Sequence, residues 1–362
     1  MTPFVYTAPA ARVVFGSGTR AALADEIRTL SCARVLILST PPQRNDAAQL
    51  AADIGDLAAG IFNEAAMHTP VDVTERAVAR AQELAADCVV AIGGGSSVGL
   101  AKAIALNTDL PQIVLPTTYA GSEATSILGQ TAGNEKRTLR SPKVQPEVII
   151  YDVDLTLTLS VHQTVVSGMN AIAHAIEALY AQDGNPVTSI LAEEAIRCFA
   201  RSLPKLVASP GDRDARSDAL YAAWLCGTCL NAVSMGLHHK LCHTLGGMFD
   251  LPHAETHTVI LPHATAYNAP AAQDAMRRAA RALGADDTAA GLFDLASRLG
   301  APTALSSLGL KRADLDVAAS AAVKTPYPNP RPLALSAIRE LLDNAFEGVR
   351  PASSADGETR HA

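Results

Sequence analysis

The first 150 residues alternate short apolar runs with amphipathic stretches. Residues 33–40 (ARVLILST) are leucine and β-branched residues bounded by Pro41 and Pro42, which predicts a strand buried on both faces. Residues 87–96 (DCVVAIGGGS), 111–118 (PQIVLPTT) and 146–152 (PEVIIYD) repeat that pattern. Residues 5–18 (VYTAPAARVVFGSG) predict a strand or hairpin closed by a Gly-Ser-Gly turn. Between the runs lie alanine-rich amphipathic segments such as 73–86 (VTERAVARAQELAA), with the period of a helix that buries one face. Strand, helix and strand at this spacing predict a parallel sheet covered on both sides. After about Leu155 the strand signals stop. Residues 160–181, 188–208 and 214–235 read as helices, as do the runs after Gly284 and Leu310. The shift predicts an α/β domain over 1–156, a helical domain over 157–352, and a polar tail over 353–362.

Composition narrows the function. In 362 residues, 48% hydrophobic and 18% charged, there is apolar material for two globular cores. A net charge of −7 argues against a nucleic-acid binder but leaves an anionic small substrate open. No apolar run reaches the roughly 20 residues that span a bilayer. The first residues lack a basic stretch followed by an apolar core, so the reading is a cytoplasmic protein without a membrane partner. Six cysteines then imply reduced thiols. Cys226 and Cys229 form a CxxC in an apolar helical stretch, and without a second such pair they read as structural thiols.

Gly93-Gly94-Gly95-Ser96 follows a predicted strand and opens a predicted helix at 97–105. Such a junction offers free backbone N–H groups and the positive end of a helix dipole, which suit a pyrophosphate. A tight turn alone would need the same glycines. The neighbouring strand ends favour the ligand: Pro116-Thr117-Thr118 and Ala120-Gly121-Ser122-Glu123 supply hydroxyls where ribose and phosphate would lie. Gly94, Gly95, Ser96, Thr117, Thr118 and Ser122 are therefore assigned to a dinucleotide. The strand end at Ser39-Thr40 is neutral, so a 2′-phosphate is not repelled and both NADH and NADPH are admitted.

Six of the ten histidines fall between residues 236 and 263. Asn170 and His174 are spaced i,i+4 on one helix face, as are His239 and His243. His253 follows a Gly-Gly pair that can turn it back toward them. A single histidine is most simply a satisfied core or surface residue.

These motifs resemble those of the iron-containing (group III) alcohol dehydrogenase family. The resemblance rests on GGGS with Lys102, PTT with GSE, NAIAHAIE from Asn170, HKLCHTLGG from His239, and LPH ending at His253. It runs from the first strand to about Leu342. It implies a Rossmann-like N-terminal domain and an all-α C-terminal domain, the dehydroquinate synthase-like fold, with the site in the cleft and a homodimeric state. The family's metal ligands, an aspartate and three histidines, map onto Asn170, His174, His239 and His253. His238, His257 and His263 match no family role. Lys136 maps to a lysine near the nicotinamide ribose.

There are two departures. Asn170 replaces the aspartate, removing the anionic ligand that iron or zinc favours. Gly99 stands where many members carry an aspartate near the nicotinamide. With Lys240 and Arg331, these losses leave an expected cleft that is more positive and suits an anionic substrate. Together they resemble the branch that reduces maleylacetate, a dicarboxylate, to 3-oxoadipate in the breakdown of aromatic and chloroaromatic compounds. That branch is regarded as working without metal, so none is expected here. For that substrate we expect His239 and His253, with Asn170 and His174, to act as hydrogen-bond donors to an enolate. His243 is the expected proton donor, because imidazole titrates near working pH, and Lys240 and Arg331 are the expected carboxylate binders. The alternatives are a metal-dependent, NAD-linked alcohol or lactaldehyde dehydrogenase, a lyase related to dehydroquinate synthase, and a cofactor-binding pseudoenzyme.

Overall fold

The apolar runs of the first half become parallel strands. The computed structural model describes residues 4, 6, 7, 11–132 and 135–352; the tail expected at 353–362 lies outside them. Two units are distinguished, one ending at Leu159 and the other continuing from Ser160.

The first unit holds β1 (Arg12–Gly16), β2 (Val35–Leu38), β3 (Ala58–Phe62), β4 (Cys88–Gly93), β5 (Gln112–Pro116), β6 (Ile127–Ala132), β7 (Glu135–Arg140) and β8 (Val148–Asp152). Six strands form one sheet in the order β1-β8-β5-β4-β2-β3, all parallel. The helices are α1 (Leu23–Thr29), α2 (Arg44–Ile54), α3 (Val71–Glu83) and α4 (Gly95–Thr108). Alternate strand residues serve opposite faces. Val35, Ile37, Val90, Ile92 and Ile113 pack with Leu23, Ile27 and Leu50 of α1 and α2. Leu36, Leu38, Val89, Ala91 and Val114 pack with Val73, Ala77, Val98 and Ala101 of α3 and α4.

Of the strand or hairpin expected over 5–18, the described residues form the strand β1, paired in parallel with β8. Two differences from the sequence reading have local causes. The edge strand β3 (AAGIF) gives no apolar alternation because alanine and glycine fill it. The antiparallel pair β6-β7 (ILGQTA and EKRTLR) is polar and stands outside the main sheet.

From Ser160 on, no strand occurs among the described residues. The helices are α5 (Val161–Tyr180), α6 (Pro186–Ala208), α7 (Arg213–Ala232), α8 (Leu237–Phe249), α9 (His253–Asn268), α10 (Gln273–Leu283), α11 (Thr288–Arg298), α12 (Leu315–Val323) and α13 (Leu335–Glu347). Several open on side-chain caps: Ser160 accepts from Gln163 N, Asn185 from Val187 N and Thr188 N, Asp212 from Ala215 N. Helix α5 is buried almost all round, which marks it as the central helix of the unit. A second core joins α8 and α9 to α12 and α13 through Leu241, Leu245, Ile260, Leu315, Ile338 and Leu342. No single described helix is long and apolar enough to cross a membrane.

Candidate active site

In the α/β unit the polar groups collect at the carboxyl ends of β2, β4 and β5. The chain runs from β2 outward to β3, returns to β4, then proceeds the other way to β5. The strand order reverses between β2 and β4, the crevice where such sheets bind ligands. Gly93, at the end of β4, has φ +142, a backbone state that favours glycine. Helix α4 begins at Gly95, two residues earlier than the sequence pattern indicates, so its first N–H groups face the strand ends. A Cβ at Gly94 would press on Thr118, while at Gly95 it would meet open space. The hydroxyls of Ser39, Ser97 and Ser122 are buried without a partner. These groups fit a dinucleotide: open backbone at the helix start, with unpaired hydroxyls around it.

Two residues missing from the sequence reading support this half. Gln43, just after β2, donates to the Thr117 hydroxyl at 3.0 Å and accepts from Thr40 at 3.2 Å, tying the ends of β2 and β5 together. Ser97 is fully buried beneath the loop. Lys102, known so far only as part of a motif, is also buried. Its ammonium donates to Ser122 O (2.7 Å), Thr125 O (2.6 Å), Thr125 Oγ1 (2.8 Å) and Ile127 O (3.0 Å). Burial pulls it down to about 7. It pins the Ser122–Ile127 turn to α4. Beside it, burial raises Glu123 to about 7, and Tyr151 donates to its carboxyl at 3.0 Å.

Gly99 has a steric cause. A Cβ there would collide with the Thr69 hydroxyl. Thr69 and its neighbour His68 both have positive φ, an unusual pair for non-glycine residues. An aspartate at 99 therefore requires the Thr69 side chain to move. The side chain of Lys136 lies outside the described residues.

In the helical unit, α5 presents Asn170, His174 and Glu177 at steps of four and three, one helix face. Asn170, His174 and His239 are buried, and Asn170 Oδ1, His174 Nδ1 and His239 Nε2 have no partner. The rings of His174 and His239 lie 5.0 Å apart, those of His239 and His257 5.1 Å, and those of His253 and His257 4.2 Å. His243 lies 6.1 Å from His239. His243 and His253 are exposed. The cluster thus has a buried floor and an accessible rim.

Glu177 is the residue the sequence reading passed over. Its Oε2 lies 2.7 Å from His239 Nδ1 and accepts from Gly236 N at 3.0 Å; its Oε1 accepts from His238 N (2.9 Å) and Tyr180 Oη (3.2 Å). Its position three residues after His174 was the available signal. The cluster has therefore kept a carboxylate, and the expected positive cleft is corrected on two counts. Burial lowers His174 and His257 well below the ordinary imidazole value, His239 to about 3 and His238 to about 4. The floor is neutral imidazole beside an acid, not a cationic pocket. His238 and His257, expected to be peripheral, are part of it; His263 is buried elsewhere on α9 and packs edge-on to Phe293.

Lys240 and Arg331 are engaged with aromatic rings. Lys240 Nζ sits 5.9 Å over the Tyr327 ring. Arg331 stacks on Tyr267 at 4.4 Å and donates to its carbonyl at 3.0 Å. Neither of these contacts is with the histidine rings.

The donor set fits a divalent ion. Asn170 and the histidines offer neutral oxygen and nitrogen atoms, several unpartnered. A carboxylate behind an imidazole is also the usual support of a metal-bound histidine.

A nucleotide-type strand end in one unit and a histidine cluster in the other define a class, and the comparisons agree with it. Residues 10–153 match the iron-containing alcohol dehydrogenase family, and residues 164–346 match the C-terminal part of the Fe-containing alcohol dehydrogenase family. The chain belongs to this family and is an oxidoreductase that uses a nicotinamide cofactor. The expectation of no metal finds no support in that membership.

Its relatives are more particular. The chain is 56% identical to the maleylacetate reductase of Rhizobium sp. (strain MTP-10005) over 351 residues, 97% of this chain and all of the relative. It is 56% identical to the crystal structure of maleylacetate reductase from Agrobacterium tumefaciens, with a TM-score of 0.94 over 97% of this chain and 100% of that one. An iron-containing alcohol dehydrogenase from Corynebacterium glutamicum is 41% identical, with a TM-score of 0.93 over 97% and 99%.

Proposed function

We propose that the protein reduces the C=C bond of maleylacetate to give 3-oxoadipate. The observation that carries this is the 56% identity to maleylacetate reductases over 97% of the chain. When bound, NADH or NADPH supplies hydride to the alkene carbon remote from the ketone, and the electron pair moves to the ketone oxygen as an enolate. The residues must then stabilise that oxygen and protonate the carbon beside it. Preorganised donors in a dry site achieve the first. Asn170, through its amide N–H groups, and His253, on the accessible rim, take that role in this reading. His243, also on the rim, is the proton donor. Lys240 and Arg331 bind the carboxylates after leaving their aromatic stacks. Gly94, Gly95, Ser96, Ser39, Thr117, Thr118, Ser122 and Lys136 hold the cofactor. The reading extends to a cytoplasmic homodimer.

A divalent ion at Asn170, His174, His239 and His253 would supply Lewis-acid polarisation of a carbonyl oxygen. The unpartnered donors and the carboxylate behind His239 favour that second reading, a metal-activated alcohol dehydrogenase. The test is oxidation of NADH and of NADPH by the purified protein with maleylacetate, before and after exhaustive chelation, with 3-oxoadipate identified as product. Equal turnover after chelation supports the reductase without metal; turnover restored only by iron or zinc assigns the ion a role. Turnover of simple alcohols but not maleylacetate overturns the proposal. Asn170→Asp is expected to raise iron or zinc affinity and lower maleylacetate turnover.

A further inference from the structure

The proton positions in the histidine floor follow from one backbone oxygen. His238 Nε2 lies 2.9 Å from the carbonyl of His257, which can only accept. The ring proton of His238 therefore sits on Nε2, and its Nδ1, which faces another ring nitrogen, is the lone-pair side. That lone pair lies 3.4 Å from His239 Nδ1. Two bare nitrogens would repel at this separation, so His239 carries its proton on Nδ1. The same N–H points to Glu177 Oε2 at 2.7 Å, a carboxylate already held by two backbone N–H groups and the Tyr180 hydroxyl. The proton order is thus consistent from the His257 carbonyl to Glu177, and it leaves His239 Nε2 without hydrogen. That atom is buried and unpartnered.

We propose that Glu177 is a positioning residue that fixes His239 as its Nδ1–H form, so that Nε2 receives an electron-pair acceptor and is not a donor to substrate. This rests on the reductase reading for its consequence, though not for its geometry. An enolate oxygen is an acceptor, and His239 in its Nδ1–H form cannot bind it through Nε2. Asn170 and the rim histidines carry that role. The ligand of Nε2 is a divalent cation or a donor hydrogen, such as an amide N–H or the hydroxyl of an enol. The expectation that His239 donates to an enolate is reversed, while its place among the family's metal ligands is kept.

The experiment is ring nitrogen NMR on the whole chain labelled with 15N-histidine, with His239 assigned by comparison with His239→Gln. The expected wild-type spectrum has protonated Nδ1 and unprotonated Nε2 for His239. A protonated Nε2 overturns the proposal whether or not maleylacetate is turned over. Turnover failing while the nitrogens appear as stated sinks the reductase reading alone. Adding Co2+ as probe separates the ligand sources: a cation site shifts or broadens the Nε2 signal near stoichiometric metal, and a donor-hydrogen site leaves it until large excess. In Glu177→Gln the share of Nε2–H is expected to rise and Co2+ affinity to fall by about tenfold or more. An unchanged ring spectrum in that variant means the form is set without Glu177, and the proposal falls. If the variant does not fold, the wild-type spectrum still decides.

Discussion

The two units build their polar centres by opposite means. In the α/β unit the groups are small: glycines, hydroxyls and backbone N–H at the ends of parallel strands, with Lys102 beneath them donating to four oxygens. In the helical unit the groups are large rings and an amide, and it is an acid, Glu177, that is satisfied four times. One buried cation fixes a loop of backbone acceptors; one buried anion fixes a cluster of imidazoles. In each case the satisfied charge lies behind the atoms left unpaired. The charge organises each centre, and the neutral groups in front of it are left unpaired.

That comparison can be broken in several places, the largest effect first. His253→Ala removes a rim group, and kcat for maleylacetate should fall by about 10²- to 10⁴-fold with the circular dichroism spectrum unchanged. A smaller loss would move His253 out of the chemistry. Lys102→Met removes a donor from four oxygens, of which Ser122 O keeps Thr125 Oγ1 and Thr125 Oγ1 keeps Ile127 N. It should cost about 3 kcal/mol in urea unfolding, since each buried acceptor left unmade costs about 1–3 kcal/mol. An unchanged midpoint would mean the turn does not depend on that lysine.

The helical unit should be the acid-sensitive one. His263 is buried, and its pKa is lowered from its ordinary value of 6.5 to about 4 by burial. Between these two values the unfolded chain takes up a proton that the folded chain refuses, so stability falls as pH falls through this window. His263→Phe should recover about 2 kcal/mol at pH 5 relative to pH 7, read from unfolding midpoints. The same pH dependence in variant and wild type would assign it to other groups. Gly99→Asp should destabilise by about 1–3 kcal/mol, because the new Cβ displaces the buried Thr69 side chain. Thr69→Gly in the same chain should relieve most of that loss. Smallest of all, Cys226 and Cys229 are buried in α7, with Cys229 pushed up to about 12. Neither should react with a thiol reagent until the chain unfolds, and Cys226→Ser should leave maleylacetate turnover within about twofold.

Sequence patterning conveyed most of this architecture, and the gaps are physical. Strands β2, β4, β5 and β8 are buried on both faces and therefore spell continuous apolar runs. Strand β3 and the β6-β7 pair depend on pairing partners more than on their own residues, so their sequences carry little signal. At the site, Asn170, His174 and His239 were legible because helical spacing and family motifs coincide there. Glu177 ends the same motif, yet its meaning depends on Gly236, His238 and His239, some sixty residues away. His257 looked peripheral because only folding α9 back against α8 brings its ring to the others. Gly99 looked like a lost carboxylate; the structure adds that Thr69 occupies the space.

Helix α5 carries Asn170, His174 and Glu177 on a single face, held by a capped start and a buried surround. The codons for asparagine and aspartate differ by one base, so a single nucleotide separates this donor set from one with an anionic ligand. The hydrogen bonds that hold Glu177 and His239 do not involve residue 170. One base change therefore alters the charge of this donor set while the frame that Glu177 and His239 form stays in place.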